Sequence, residues 1–314
     1  MPRDVAGWIT ALCLLGLAIV PTATNYFDEP FALDIATRIL ILALAACSLN
    51  LILGYGGLVS FGHAAYLGIG AYAVGIPAYY ENYDGWFQLG IAIVASALFA
   101  FLTGLVCLRT RGVYFIMITL AFAQMVYFGI LSIEEYGGDD GLVIDVRSEF
   151  GSAINLESAQ TLYYLILGVL VATLFIIHRI VHARFGMVIR GGKGNEERMV
   201  SLGFPVFRYR LVCYVISGVI CGVAGWMLGN FTDFISPEMM DWTRSGELIF
   251  MVVLGGTASV FGPVLGTATF VLLEEWLSGI TLYWQLIFGP FLILVVLFVR
   301  GGLFGLLTRM GDRR

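Results

Sequence analysis

The sequence predicts an all-α, polytopic membrane protein, and three observations predict it. First, 59% of its 314 residues are hydrophobic and 12% are charged, with a mean hydropathy of +0.90; ordinary soluble domains carry about 25% charged residues. Second, apolar runs close to the ~20 residues needed to cross a bilayer recur along nearly the whole chain. Third, the charges segregate. Lys and Arg gather at Arg109 and Arg111, over 179–210 and from Arg300 onward; Asp and Glu gather at Asp28 and Glu29, at Glu81 and Asp84, and over 134–157 and 233–247. Such segregation puts the cationic set on the cytoplasmic side and leaves the acidic set outside. The net charge of −5 decides nothing, because its distribution orients the chain and its sum does not. No basic face remains for nucleic acid once topology has used the cations. Cys13, Cys47, Cys107, Cys213 and Cys221 lie in or beside apolar runs without CxxC spacing, which predicts free thiols and no metal site.

Taken in order, the first stretch, MPRDVAGWITALCLLGLAIVPTAT, has the short apolar core of a signal peptide. Asp4 spoils the basic region such a peptide needs, so the stretch reads as a first span, inside to outside. Asp34 and Glu81 both read as external, so the chain crosses an even number of times between them. The turning region, Gly54 to His63 (GYGGLVSFGH), carries no Lys or Arg, and its glycines weaken any continuous helix. Irregular backbone at membrane depth survives only when buried in protein or lining a wet cavity. Residues 54–63 are therefore expected to form a broken or re-entrant element. His63 has two readings: a hydrogen-bonded structural imidazole, which is the commoner role for a lone histidine, and a proton carrier.

Spans are expected at 87–108, 112–132 and 161–181. The loop between the last two, 133–160, is acidic and external, with Arg147 its one cation. Asp139, Asp140 and Asp145 in it lack the full calcium-loop pattern. A further span at 211–230 leads to a second external loop over 231–247. As a helix, 247–280 would run ~51 Å at ~1.5 Å per residue, too long for one crossing and too short for two. LGGTASVFGPVLG at 254–266 supplies a second break, and a last span over 284–299 brings Arg300 inside.

The two breaks echo one another, GGLVSFG at 56–62 and GGTASVFG at 255–262, with spacing that differs by one residue. Their Gly56, Gly57, Ser60, His63, Gly255, Gly256 and Ser259 are the candidate translocation-pathway residues. Unwound backbone and open helix ends present N–H and C=O groups to a zwitterionic solute. The competing reading is that these glycines only let helices pack closely. Of the other ionisable residues in the spans, Arg38 is expected to snorkel outward, and Glu274 and Glu275 to sit near the outer interface.

The polar exception is Arg184 to Arg210, RFGMVIRGGKGNEERMVSLGFPVFRYR, between two membrane-length runs. Asn195 is a good N-cap, Glu196 and Glu197 favour the first turn, and Gly203 with Pro205 supplies a stop. This spells a short helix over 195–202, about 12 Å long. It reads either as a helix docking on a cytoplasmic partner or as a solvated loop. In the docking reading, Glu196, Glu197 and Arg198 meet polar groups, Met199, Leu202 and Phe204 fill a groove, and Gly203 takes a positive φ. GGKG at 191–194 is no phosphate loop, because GxxxxGK followed by Ser or Thr and a preceding strand are both missing.

LNLILGYGGLVSFGHAAYLGIGAY (49–72), RGVYFIMITLAFAQM (111–125), GNEERMVSLGFPVFRYRL (194–211) and MVVLGGTASVFGPVLGT (251–267) resemble, in sequence and in order, the permeases of branched-chain amino acid ABC importers. The M-type, LivM-like subunit is the nearer pattern, although Lys193 and Gly194 replace an arginine and an acidic residue common there. The resemblance implies one type II-like permease domain over 1–314, with about ten membrane elements, some discontinuous, and both termini cytoplasmic. It implies half of a path for branched-chain or related amino acids in a bacterial plasma (inner) membrane. Its implied partners are an H-type permease, two cytoplasmic ATPases engaged by the 184–210 loop, a periplasmic binding protein and membrane lipid. No catalytic, cofactor-binding or metal residue is expected in this chain; ATP and Mg would be held by the ATPases. Relatives of this kind also carry urea or small aromatic acids, which are the alternative cargoes. An ion-coupled secondary transporter would need more ionisable groups in the spans. A membrane enzyme would need a convergent nucleophile or metal set, which the sequence lacks.

Overall fold

The computed structural model describes residues 3–311, apart from 28, 152–155, 258, 282 and 299–300. Asp28 and Arg300, used above for topology, lie outside the described residues. The first helices are α1 (Arg3–Phe27), α2 (Pro30–Asn50, prolonged by a π-helical turn, Leu51–Tyr55), α3 (His63–Tyr79), α4 (Gly85–Cys107), α5 (Val113–Leu131) and α6 (Ala159–His182). Then come α7 (Arg184–Gly194), α8 (Glu196–Ser201), α9 (Val206–Thr232), α10 (Trp242–Gly255), α11 (Gly262–Ser278), α12 (Trp284–Phe298) and α13 (Gly302–Gly311). Among the described residues, five helical stretches, α2 with its π turn, α4, α5, α6 and α9, are long and apolar enough to cross a membrane. The chain is a helical, multi-pass membrane protein.

Burial sorts the helices. The apolar window of α2 is 83% buried and that of α5 only 17%, so α2 is central and α5 peripheral. Tyr114, Met117, Met125 and Phe128 of α5 are exposed and call for lipid or another subunit as cover. The centre is α3 packed on α9. Gly218, Gly222, Gly225 and Gly229 recur along α9 at helical spacing. A Cβ on Gly225 would lie 1.8 Å from the Leu67 carbonyl oxygen, and one on Gly70 1.9 Å from that of Gly222. In lipid, where apolar surface gains nothing by hiding, such backbone-to-backbone contact is what holds helices together.

The acidic loops depart from the expected solvated segments in extent and order. The helices leave 132–158, close to the expected 133–160, and shorten 231–247 from both sides to 233–241. A two-residue ribbon, β1 (Leu142–Val143) against β2 (Phe234–Ile235), joins them and is a small departure from an all-α chain. Arg147 grips Asp233 with two bonds, Nε to Oδ1 and Nη2 to Oδ2, each 3.0 Å, and donates through Nη1 to the Leu156 carbonyl. Ser148 is tied by its N–H to Asn230 Oδ1 at 2.8 Å, and its hydroxyl bonds Gln88. Nearby, a hydrogen bond with Tyr136 pushes the Tyr80 phenol up to about 12, so it stays protonated beside Glu135. A bidentate, charge-assisted pair contributes about 1.5–3 kcal/mol. Arg147→Ala should therefore speed proteolysis of 132–158 by about tenfold or more, while Asp139→Asn stays near the parent. Equal cleavage of the parent and Arg147→Ala would mean that the clamp holds nothing.

Candidate functional site

The first break is shorter than the sequence suggests. Helix α2 persists through Gly54 and Tyr55 as a π turn, and the irregular backbone is 56–62. Gly54 is needed there for proximity: a Cβ would sit 2.1 Å from Asn50 Oδ1 and 2.4 Å from the Thr257 carbonyl oxygen. Gly57, at φ +71°, turns the chain. Ser60 Oγ accepts from Gly62 N–H at 3.2 Å, just ahead of α3. The second break repeats this chemistry. Gly256 takes φ +109°, and Ser259 Oγ accepts from Gly262 N–H at 2.7 Å, at the start of α11. The echo is thus a shared device: the second glycine reverses the chain and the serine satisfies an orphan donor of the returning helix.

Both breaks meet at the end of α2, where Asn50 Nδ2 donates to the Ser259 carbonyl at 2.9 Å. The glycines differ in surroundings. A Cβ on Gly255 would be 1.9 Å from Gly262 O, and one on Gly256 2.3 Å from Gly301 O, so both are enclosed by this chain's own backbone. Gly56 and Ser60 are buried, Ser259 is half-buried and Gly57 is exposed. His63 is buried, with Nε2 2.9 Å from Ser217 Oγ, and Ser217 donates its own proton to the Ser48 carbonyl at 2.5 Å. The serine must then accept from His63, which fixes the Nε2–H tautomer. His63 Nδ1 has no hydrogen-bond partner among the described residues, so this geometry favours the structural role.

Arg38 does not snorkel free. Its Nη2 lies 3.2 and 3.3 Å from the two carboxylate oxygens of Glu274, pairing α2 with α11. Two opposite charges in otherwise apolar spans were the available signal for this pair. Among the described residues no three His, Cys, Asp or Glu side chains converge as metal ligands.

The polar insert holds two helices, and the glycines of GGKG hid the first, α7. Its buried Val188, Ile189 and Gly192 recur at helical spacing, which was the legible signal. Helix α8 spans Glu196–Ser201, with Asn195 Oδ1 accepting from Arg198 N–H at 2.9 Å and Leu202 as C-cap. The expected 195–202 therefore includes both caps, and Gly203 follows at φ +86°.

Two of the expected docking residues make contacts within their own chain. Glu196 turns back into the chain: Oε2 accepts from Arg210 Nη1 at 2.7 Å, and Oε1 lies 3.2 Å from Arg111 Nη2. Met199 is half-buried and packs over Gly191 of α7. Glu197 and Arg198 remain exposed, and the outward apolar set is Val200 (57% exposed), Leu202 (65%) and Phe204 (39%). Behind them, Lys193 Nζ donates to the Gly54 carbonyl at 2.7 Å, and its stem covers Gly57, which links the insert to the first break. Sequence spacing gives no hint of that contact. Removing Glu196 would leave Arg210, whose side chain is 11% exposed, without its charged partner and held by the Gly192 carbonyl at 3.0 Å, at a cost of about 1–3 kcal/mol. Glu196→Ala should accelerate amide exchange over 192–204 by about tenfold or more, and Glu197→Ala should not. Identical exchange in the two variants would contradict the clamp.

A family model described as "Branched-chain amino acid transport system / permease component" matches residues 31–299. The chain is 27% identical to the high-affinity branched-chain amino acid transport system permease protein LivM of Salmonella typhimurium, over 93% of this chain and 74% of that protein. It is 27% identical to the L-arabinose ABC transporter permease protein AraH of Azospirillum brasilense, over 67% of this chain and 63% of that protein. It is 24% identical to the corresponding LivH of Salmonella typhimurium, over 84% of this chain and 91% of that protein. No solved structure matches. The matched range takes in both Gly-Gly breaks, the Lys193 link and the α7–α8 insert, and the chain belongs to the family of branched-chain amino acid transport system permease components.

Proposed function

We propose that this permease forms half of the translocation path of an ATP-driven importer for branched-chain or related amino acids, handed over by an external binding protein. The observation that carries this reading is the capped helix α8. It holds Val200, Leu202 and Phe204 outward while Glu196 and Lys193 bind its base to α9, the α4–α5 turn and the first break. An exposed apolar tip on a braced base suits a partner that pushes on it, here one of two cytoplasmic ATPases that hold ATP and Mg. Likeness to both LivM and LivH, permease proteins named for the same kind of system, supports an H-type permease as the other half. Exposed Gly57 borders the route, with buried Gly56, Ser60 and His63 supporting it from behind; Gly255, Gly256 and Ser259 shape its wall. The Arg38 ion pair occupies Glu274, which would otherwise be a candidate coupling carboxylate for a secondary transporter.

In this reading about ten membrane elements lie in a bacterial inner membrane with both termini inside. Arg109 and Lys193 face the cytoplasm, and Asp140 and Asp241 face out. Single cysteines at 140 and 241 should react with an impermeant reagent in intact cells, whereas those at 109 and 193 react only after lysis; external labelling at 193 would overturn the map. The functional test is uptake of labelled leucine, urea and benzoate by reconstituted proteoliposomes. Leucine uptake that needs ATP, both permeases and binding protein supports the reading. Uptake without the ATPases, or of urea or benzoate alone, overturns it.

A further inference from the structure

At the end of the bundle that carries the acidic loops, α2, α3, α9 and α10 enclose a cavity of about 190 Å³. By that measure one water needs roughly 10–15 Å³, so about a dozen water-sized atoms fit. Its wall combines three charged side chains, Arg38, Arg244 and Glu247, with apolar ones that include Leu42, Leu67 and Leu248. The charges cancel in pairs: Arg38 with Glu274 behind it, and Arg244 Nη1 with Glu247 Oε2 at 2.9 Å. Neither pair uses its groups fully. Among the described residues, the hydrogen bonds of Arg38 come from Nη2 alone and those of Arg244 from Nη1 alone, out of five N–H donors on each guanidinium, and Glu247 accepts through Oε2 alone. All four side chains are partly exposed.

We propose that this cavity is a binding site for the zwitterionic head of an α-amino acid with an apolar side chain. The carboxylate lies on the unused edges of Arg38 and Arg244, the ammonium on Glu247, and the side chain against Leu42, Leu67 and Leu248. A site whose own charges sum to zero accepts a solute of separated but balanced charge without a surplus charge being buried. It disfavours an aromatic acid, which brings one unbalanced charge, and it gains little from urea, which has none. A second cavity, of about 270 Å³ and lined by Asp34, Arg147 and Asp233, lies toward the loops and shares Phe231 with the first, which gives a polar antechamber. Ala64 of the inner wall donates its N–H to Ser245 Oγ at 3.0 Å, so the site ends where α3 and α10 begin their discontinuous runs.

This inference rests on the proposed import of amino acids, and one experiment separates the two. In proteoliposomes with binding protein and ATP, leucine uptake is compared for the parent, Glu247→Gln, the exchanged pair Arg244→Glu/Glu247→Arg, and Thr232→Trp; assembly is checked by co-purification. Thr232 is exposed at the cavity edge, so tryptophan there fills the space without disturbing the core. Uptake should fall at least tenfold in each variant. The exchanged pair separates the alternatives, because a merely structural ion pair would be restored by exchange. Parent-level uptake by the exchanged pair or by Thr232→Trp overturns the site while amino-acid import stands. No uptake of leucine by the parent overturns the import reading itself.

Discussion

Gly225→Leu should leave no assembled permease in the membrane. A Cβ at this position would stand 1.8 Å from the Leu67 carbonyl oxygen. Restoring a normal C···O contact of about 3.3 Å requires α3 and α9 to part by about 1.5 Å. No rotamer relieves the clash, because the obstruction is backbone, and Gly70 against Gly222 O at 1.9 Å locks the same crossing a turn away. Overpacking typically costs 1–3 kcal/mol when side chains can yield, and more where they cannot. Alanine at 225 should already lower the thermal midpoint, and leucine should abolish the folded peak in size exclusion. Gly168→Ala, on an open face of α6 with nothing within 4 Å, should match or slightly exceed the parent. A Gly225→Leu protein that melts with the parent would mean that the α3–α9 contact is not what holds the centre.

Most of the fold was legible because the membrane makes length and apolarity decisive. The spans expected at 87–108, 112–132 and 161–181 appear as α4, α5 and α6 within a few residues, and 247–280 divides at Gly256 into α10 and α11. What escaped was organisation that depends on contacts across the sequence. The π turn at 51–55 follows from Asn50 and Thr257 crowding Gly54, which no local spacing reveals. The β1–β2 ribbon and the Arg147–Asp233 clamp join loops that lie about ninety positions apart and read separately as solvated acid.

The site divides in the same way. Asn195 as cap and Gly203 in the left-handed region are local chemistry and could be read from residue type. Which acid points outward could not, since Glu196 and Glu197 are neighbours of identical type, and only fold-dependent Arg111 and Arg210 draw the first inward. Glycine is ambiguous for a related reason. The same residue permits a left-handed turn at exposed Gly57 and a helical, backbone-to-backbone contact at buried Gly255, and only the folded surroundings tell them apart.

Leu202→Asp should uncouple transport far more than Glu197→Ala. Leu202 is 65% exposed at the tip of α8. Burying such an anchor in a partner contributes about 1.5–3 kcal/mol, and an aspartate there would also carry a charge into an apolar groove. An exposed charge such as Glu197 contributes at most about 1 kcal/mol. Because Leu202 touches little of its own chain, its replacement leaves the permease folded, and a defect reports on the partner. The deciding measurement is ATP hydrolysis stimulated by substrate-loaded binding protein in reconstituted membranes, with co-purification of the ATPases followed alongside. The account predicts that Leu202→Asp loses at least nine-tenths of the stimulation, about 1.4 kcal/mol or more, while Glu197→Ala keeps most of it. A Leu202→Asp complex that assembles and is stimulated like the parent would show that α8 is not where the ATPase takes hold.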